Sequence, residues 1–378
     1  MALSTAIVEA ESDIEDLRPE WDRLAVEAGQ PLCAPGWMLA WWRHGCAEGA
    51  GLRAVAVWEG DRLLGVAPLW AARARASRSD YQMLADRLAP PAGPLAVPGR
   101  EREVAEQTID AIAGGSPKPA TIRFWCRHDP AATGDRLVEA AARRGFWVHR
   151  AAPVPLPIAD LSCGDFERWF AARGTKFRKE SRRRRRRLED TGARVRLVAG
   201  IDEAAPALDA FVELHDARWR DRGGSNALIP GLRGMLAEAT DALLPSGRLR
   251  IFTLAVDGRA IAVNILLAAG EEVSGWSSGF DVDWYRYSPS IQLALAAIED
   301  ASERGERQVC LGPGETDYKR RLADRREEIA MTTLVPRGGK YPLTRLRLAP
   351  YQARASIAAR LSPHSKRRLR RLLPGGRR

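Results

Sequence analysis

One pattern occurs twice in this 378-residue chain, at a constant offset of 197 residues, and it restricts the fold more than any other feature. Residues 52–69 (LRAVAVWEGDRLLGVAPL) and 249–266 (LRIFTLAVDGRAIAVNIL) each read as strand, tight turn, strand. Arg53 matches Arg250, Arg62 matches Arg259 and Val66 matches Val263. Asp257-Gly258 is a strong hairpin signal, since a two-residue primed turn needs positive φ at its centre. Each hairpin follows a stretch with helical spacing of apolar residues, 13–28 and 204–220. The repeat predicts a duplicated α/β module, and the length allows two units that each bury a core.

Charge is distributed unevenly over this framework. Residues 173–187 carry ten Lys/Arg and one acid, and residues 340–378 carry twelve and none, against a net charge of +11 for the chain. Everything else is therefore mildly acidic, at −10, with two basic appendages. Blocks of like charge are usually solvated faces or tails. Six consecutive arginines, Arg182–Arg187, pass around every face of a helix, so they cannot all meet one partner. The five cysteines (Cys33, Cys46, Cys126, Cys163, Cys310) lie far apart with no CxxC pair, which argues against a disulfide framework and a thiolate metal site. No metal is expected. No apolar run approaches the roughly 20 residues that span a bilayer, and the first residues turn acidic without a signal pattern. A cytoplasmic address is expected. The tail, with Leu361, Leu369, Leu372 and Leu373 among Arg and Lys, is of a kind that can touch an anionic membrane.

The second module reads as a short strand at 193–199, a helix at 204–220, the hairpin 249–267, and a strand over 271–279. A helix over 291–304 follows, ended by Gly305, then a strand at 307–311, a Gly-Pro-Gly turn, a short helix at 317–325 and a last strand at 328–335. The first module shows helices near 101–113 and 133–144, and the Pro-rich stretch 151–158 closes it. The divisions expected are a first module over 1–160, a basic connecting helix over 161–192, a second module over 193–340 and the basic tail 341–378.

The chemistry concentrates in two segments. Phe280-Asp-Val-Asp-Trp-Tyr-Arg-Tyr-Ser-Pro-Ser290 runs straight into a helix. Ser288 suits the N-cap, where its oxygen can bond free backbone donors, and Pro289 suits the first helical position. The Ser290 and Ile291 amides then point outward, unpaired, at the positive end of the helix dipole, a place where a pyrophosphate can rest. Twenty residues on, Leu311-Gly-Pro-Gly-Glu-Thr-Asp-Tyr-Lys-Arg320 sets Gly312 and Gly314 at a strand end, where backbone can approach a ligand closely.

The two segments together, FDxxxxxYSPS, a helix, then LGPGExxYKxR, resemble the C-terminal signature of the CelD/BioF-like acetyltransferase family, relatives of the FemABX aminoacyltransferases within the GNAT superfamily. Leu214-His215, Arg218-Trp219 and the basic helix at 176–187 are similar to that family too, and the resemblance covers about 165–335. Ser290 stands where the family usually has Gly, and Cys310 where Asp is usual. The first half fits in arrangement but lacks the Ser-Pro and Tyr-Lys elements, as a degenerate module would.

The resemblance implies tandem GNAT-like modules, each a mixed, mostly antiparallel sheet flanked by helices. It further implies an acyltransferase that takes acetyl-CoA or another acyl-CoA as co-substrate. The acceptor would be an amine or hydroxyl, such as a small amine or a cell-envelope or polysaccharide precursor, attacking the thioester directly. Asp281 is then the leading base, Glu315 the reserve base, and Tyr285 or Tyr287 the proton donor to the leaving thiolate. Lys319, beside Tyr318, would stabilise an oxyanion or a substrate phosphate. Ser288, Pro289, Ser290, Ile291, Gly312 and Gly314 would hold the donor. His215 reads as a packed core histidine. Two alternatives stay open: an aminoacyltransferase using aminoacyl-tRNA, and a non-catalytic scaffold binding an anionic partner through its arginines.

Overall fold

The structure is a computed structural model, and it describes residues 2–73, 75–86, 88, 92–220, 224–225, 227–337, 342 and 346. The basic tail 341–378 lies outside the described residues, those two positions apart.

Both repeated hairpins form. The first pairs Ala54–Glu59 with Arg62–Ala67, and the second pairs Leu249–Val256 with Arg259–Ala269. Asp257 and Gly258 both take positive φ (49° and 79°), as the primed turn requires. The likeness goes deeper than the turn. The register slips between Val57 and Trp58 in the first hairpin and between Leu254 and Ala255 in the second, leaving Leu64 and Ile261 as the extra residues. Those positions are again 197 apart. Arg53 and Arg250 are both buried as well, at 8% and 5% exposure.

The first hairpin belongs to a four-stranded sheet with Leu3–Val8 and Leu95–Ala96 at its edges. The second belongs to a twelve-stranded sheet that runs through both halves. In spatial order its second-half strands are Arg194–Leu197, Leu249–Val256, Arg259–Ala269, Glu272–Phe280 and Gln308–Cys310. Next come Val154–Asp160 and Arg325–Val335, and then the first-half strands Lys118–Arg127, Arg78–Met83, Leu69–Ala71 and Gly51–Leu52. The stretch read from sequence as closing the first module thus pairs with Gln308–Cys310 of the second half. In exchange, the last strand pairs with Lys118–Arg127 and Trp147–Arg150 of the first.

Helices cover the sheets as their apolar stripes demand. Ile201–Arg220 and Leu232–Leu243 pack with Pro35–Gly45 in one core that spans the halves. Gly36 is needed there, since a Cβ would sit 2.9 Å from Ala242. On the opposite face of the second-half sheet, Phe166–Ala171, the basic helix Thr175–Glu189 and Pro289–Glu303 share a second core.

Candidate functional site

The second-half sheet opens at one place. Glu272–Phe280 pairs in parallel with Gln308–Cys310 over three residues only, ending at Ser274 with Cys310. Beyond that point the following segment turns away. Leu311 N–H donates to Pro157 O (2.9 Å) and Gly314 N–H to Pro155 O (2.8 Å), so the Gly-Pro-Gly turn is drawn to the neighbouring strand. Residues 275–280 are left without a strand partner on that edge among the described residues. The parting limb also carries a bulge: Trp276 is the extra residue between Gly275 and Ser277, and its ring packs on Trp37 and Phe211. At the apex the two limbs nearly touch. A Cβ on Gly312 would lie 3.0 Å from Gly275 O, and Gly312 and Gly314 hold φ of 80° and 86°, so only glycine suits both needs.

Lys319 locks this apex. Its Nζ donates to Gly312 O and Pro313 O, each at 3.0 Å, and burial lowers its pKa to about 8. Tyr318 beside it is half-buried, and that burial raises its phenol's pKa, with the Arg218 charge opposing. Glu315 is exposed on the same turn, 3.8 Å from Arg326.

The helix Pro289–Glu303 follows the parted limb in the chain. Pro289 opens the helix Pro289–Glu303, as the sequence indicates, and no acid occupies its first turn. Two details differ from expectation. Ser288 sits at the N-cap but in the left-handed region (φ 55°, ψ 57°), and its side chain makes no cap. Its Oγ accepts from Arg184 of the basic helix instead. The Ile291 amide is not free either, because it donates to Ser288 O (2.9 Å). Left-handed Ser288 tightens the first turn and brings that carbonyl within reach. Ser290 Oγ, by contrast, is buried with no partner.

Asp281 builds the loop that leads here. It caps the short turn Val282–Tyr287 by accepting from Asp283 N–H (3.0 Å), and it pairs with Arg259 at 3.4 Å. Tyr285 is 73% exposed over Phe280, whereas Tyr287 packs on Trp284 with the Arg286 guanidinium 4.7 Å from its ring centre.

Beside the helix start runs a groove of about 440 Å³ lined by Arg183, Arg184, Arg187, Asp190, Arg286 and Tyr287. The arginine run therefore divides by face: Arg183 and Arg184, four and three residues before Arg187, turn one side to the groove with it. Arg182 and Arg185 pair elsewhere, with Glu167 and Glu189. Only Arg184 among the groove's arginines has an acid partner, Glu180, in the described residues. Sequence reasoning singled out the run but not these members, since six identical residues give no sign of which face a loop will meet.

At the parted limb lies a residue read from sequence as a packed core histidine. His215 is buried, and both its ring nitrogens are engaged, Nδ1 with Ser278 O (3.0 Å) and Nε2 with Ser225 Oγ (2.8 Å).

The second half thus combines parted strand limbs with a helix start flanked by arginines. Residues 175–320 match the family described as acetyltransferase (GNAT) domain, so the chain carries a GNAT acetyltransferase domain and is an acyltransferase. Among solved structures it is similar to FemX (12% identity, TM-score 0.63), over 92% of this chain and 99% of that one. It is also similar to the C-terminal domain of a putative lysylphosphatidylglycerol synthetase from Agrobacterium fabrum (14%, TM-score 0.53, 90% and 96% covered). A tandem GNAT protein from the clavulanic acid biosynthesis pathway aligns at 15% identity and TM-score 0.45, over 88% and 98%. These likenesses concern the fold. Comparison with curated proteins gives no match. Among the described residues no helix is long and apolar enough to cross a membrane, and no group of His, Cys, Asp or Glu is placed to hold a metal.

Proposed function

We propose that the chain transfers an acyl group from acyl-CoA to an amine or hydroxyl acceptor, with the donor bound only in the second half. The observation that carries this reading is the convergence of Arg183, Arg187 and Arg286, which lack acid partners among the described residues, on a helix start without acids beside the parted limbs. Uncompensated guanidiniums so close together repel one another, and phosphate groups relieve that repulsion through charge-assisted bonds.

The residues divide the work by their surroundings. Gly312 and Gly314 let the thioester arm lie against backbone, and the diphosphate rests at the helix end Ser288-Pro289-Ser290 on the Ser290 amide, the Ile291 amide being already bonded to Ser288 O. Lys319 spends two of its three donors on the turn and has one left for the oxyanion. Tyr318, kept protonated by burial, can protonate the departing thiolate. Asp281, already engaged as a cap and with Arg259, shapes the loop; Glu315 is exposed to solvent and can serve an incoming acceptor. A cell-envelope or polysaccharide precursor is the acceptor class that suits a cytoplasmic enzyme with a basic tail near an anionic membrane.

A second reading draws on the same groove. A tyrosine, Tyr287, among the groove's arginines, with exposed Tyr285 two residues before it, also suits stacking of a single-stranded RNA end, so an aminoacyl-tRNA donor is the alternative. Thermal shift separates them. Stabilisation by acetyl-CoA that persists at 0.15 M salt, roughly physiological, supports acyl-CoA. Stabilisation by tRNA alone, lost steeply with salt, supports the alternative and overturns the acyl-CoA reading.

A further inference from the structure

Three groups at the parted limb form a chain: the Ser278 carbonyl, the His215 ring and the Ser225 hydroxyl. A carbonyl oxygen can only accept, so His215 Nδ1 carries the proton and donates to Ser278 O. Nε2 of the neutral ring is then an acceptor, and the Ser225 hydroxyl donates to it. The Ser225 oxygen meanwhile accepts from Ala227 N–H (3.2 Å), which leaves it a lone pair. The placement is fixed from several sides. Gly279 packs so closely that a Cβ would lie 2.9 Å from His215 N, and Phe211 and Trp219 flank the ring at 5.3 and 6.1 Å. Ser278 belongs to the limb that loses its strand partner, so the imidazole is bonded to that limb beyond the point where the strands part.

We infer that Ser225 and His215 form a proton relay for the acceptor, with Ser225 meeting the acceptor and His215 acting through it. This rests on the acyl-transfer reading. A neutral amine attacks the thioester carbonyl and a C–N bond forms. The amine's proton passes to Ser225 Oγ as the hydroxyl's own proton passes to His215 Nε2. The imidazolium formed is held by Ser278 O through Nδ1–H. Collapse of the tetrahedral adduct breaks the C–S bond, Tyr318 protonates the thiolate, and the proton held on His215 leaves through Ser225 to solvent, from which Tyr318 is reprotonated. Burial and the Arg218 charge both favour the neutral ring before reaction, while Ser278 O and Asp216 favour the charged one, with a net lowering below the ordinary histidine value. Arg218 and Asp216 lie on the histidine's own helix, the limb offers it the Ser278 carbonyl, and Tyr318 shares the Arg218 charge.

Thiol release from acetyl-CoA, with water or a supplied primary amine as acceptor, tests the relay. Ser225→Ala and His215→Gln should each lower kcat/KM by about 100-fold or more, with the acetyl-CoA Kd unchanged. Wild-type kcat/KM should fall as pH drops below about 6.5, and His215→Gln should lose that acid limb. Ser225→Ala leaves the packed ring in place and so guards against a folding defect. Undiminished release in both variants, an acid limb that survives both, or an acyl group trapped on Ser225 would overturn the relay alone. No thiol release by the wild type overturns the acyl-CoA reading along with it.

Discussion

The two halves share a hairpin down to its bulge, yet we propose a donor site in the second alone. In the first half the parallel pair Arg78–Met83 and Lys118–Arg127 stays joined from Arg78 opposite Lys118 to Gln82 opposite Arg123. In the second half the corresponding pair parts after three residues. The helices that follow differ in the same sense. Glu101–Gly114 begins with Glu101 and Glu103, and Glu101 already accepts the Gly99 N–H, so its own carboxylates fill the positive end. Pro289–Glu303 begins with no acid, beside arginines. Duplication thus supplied the scaffold twice, and a donor site requires two further conditions: parted limbs and an unfilled helix end.

The largest effect expected from breaking this comparison is on folding. Arg250 bonds Asp300 (3.0 Å) and Glu306 (2.7 Å) in a nearly buried cluster, whereas the matching Arg53 reaches the exposed Glu9 at 3.3 Å. Arg250→Met strands the nearly buried Glu306 carboxylate, while Asp300 keeps Arg304 (3.0 Å), and should cost about 3–5 kcal/mol in urea unfolding. Arg53→Met should cost about 1–2 kcal/mol. Equal losses would show that the two halves are pinned alike.

Donor binding comes next. Ile291→Glu puts a carboxylate at the helix position that Glu103 holds in the first half and should weaken acetyl-CoA binding about tenfold or more. Glu103→Gln in the first half should leave it unchanged. Arg183→Ala with Arg187→Ala should weaken binding about five- to tenfold, less so as salt rises. An affinity independent of these arginines would remove the groove from the site.

The smallest effect is a pH dependence. Lys319 has a folded pKa of about 8, below its ordinary 10.5, so the fold penalises the ammonium. That penalty is complete below pH 8 and fades as pH rises towards 10.5. The stability of the wild type relative to Lys319→Met should therefore climb over that interval in thermal melts. A flat difference would mean the buried amine is as well solvated as in the unfolded chain.

The hairpins, Pro289 at the helix start and the paired glycines were legible because local chemistry dictates them: positive φ, fixed proline φ and the lack of a Cβ. The exchange of Val154–Asp160 and Arg325–Val335 between halves was not, since strand pairing across 150 residues leaves no local trace. The left-handed Ser288 escaped for a related reason. Its conformation accompanies a bond to Arg184, 104 residues earlier. His215 read as core because its neighbours are apolar, while the partners that distinguish it, Ser225 and Ser278, lie on other segments.

Calorimetric titration of the full chain with acetyl-CoA at physiological salt tests the contrast between halves most directly. One molecule should bind per chain, and Ile291→Glu should weaken that single event. Two binding events per chain, or one that Ile291→Glu leaves intact, would contradict the assignment of the donor to the second half.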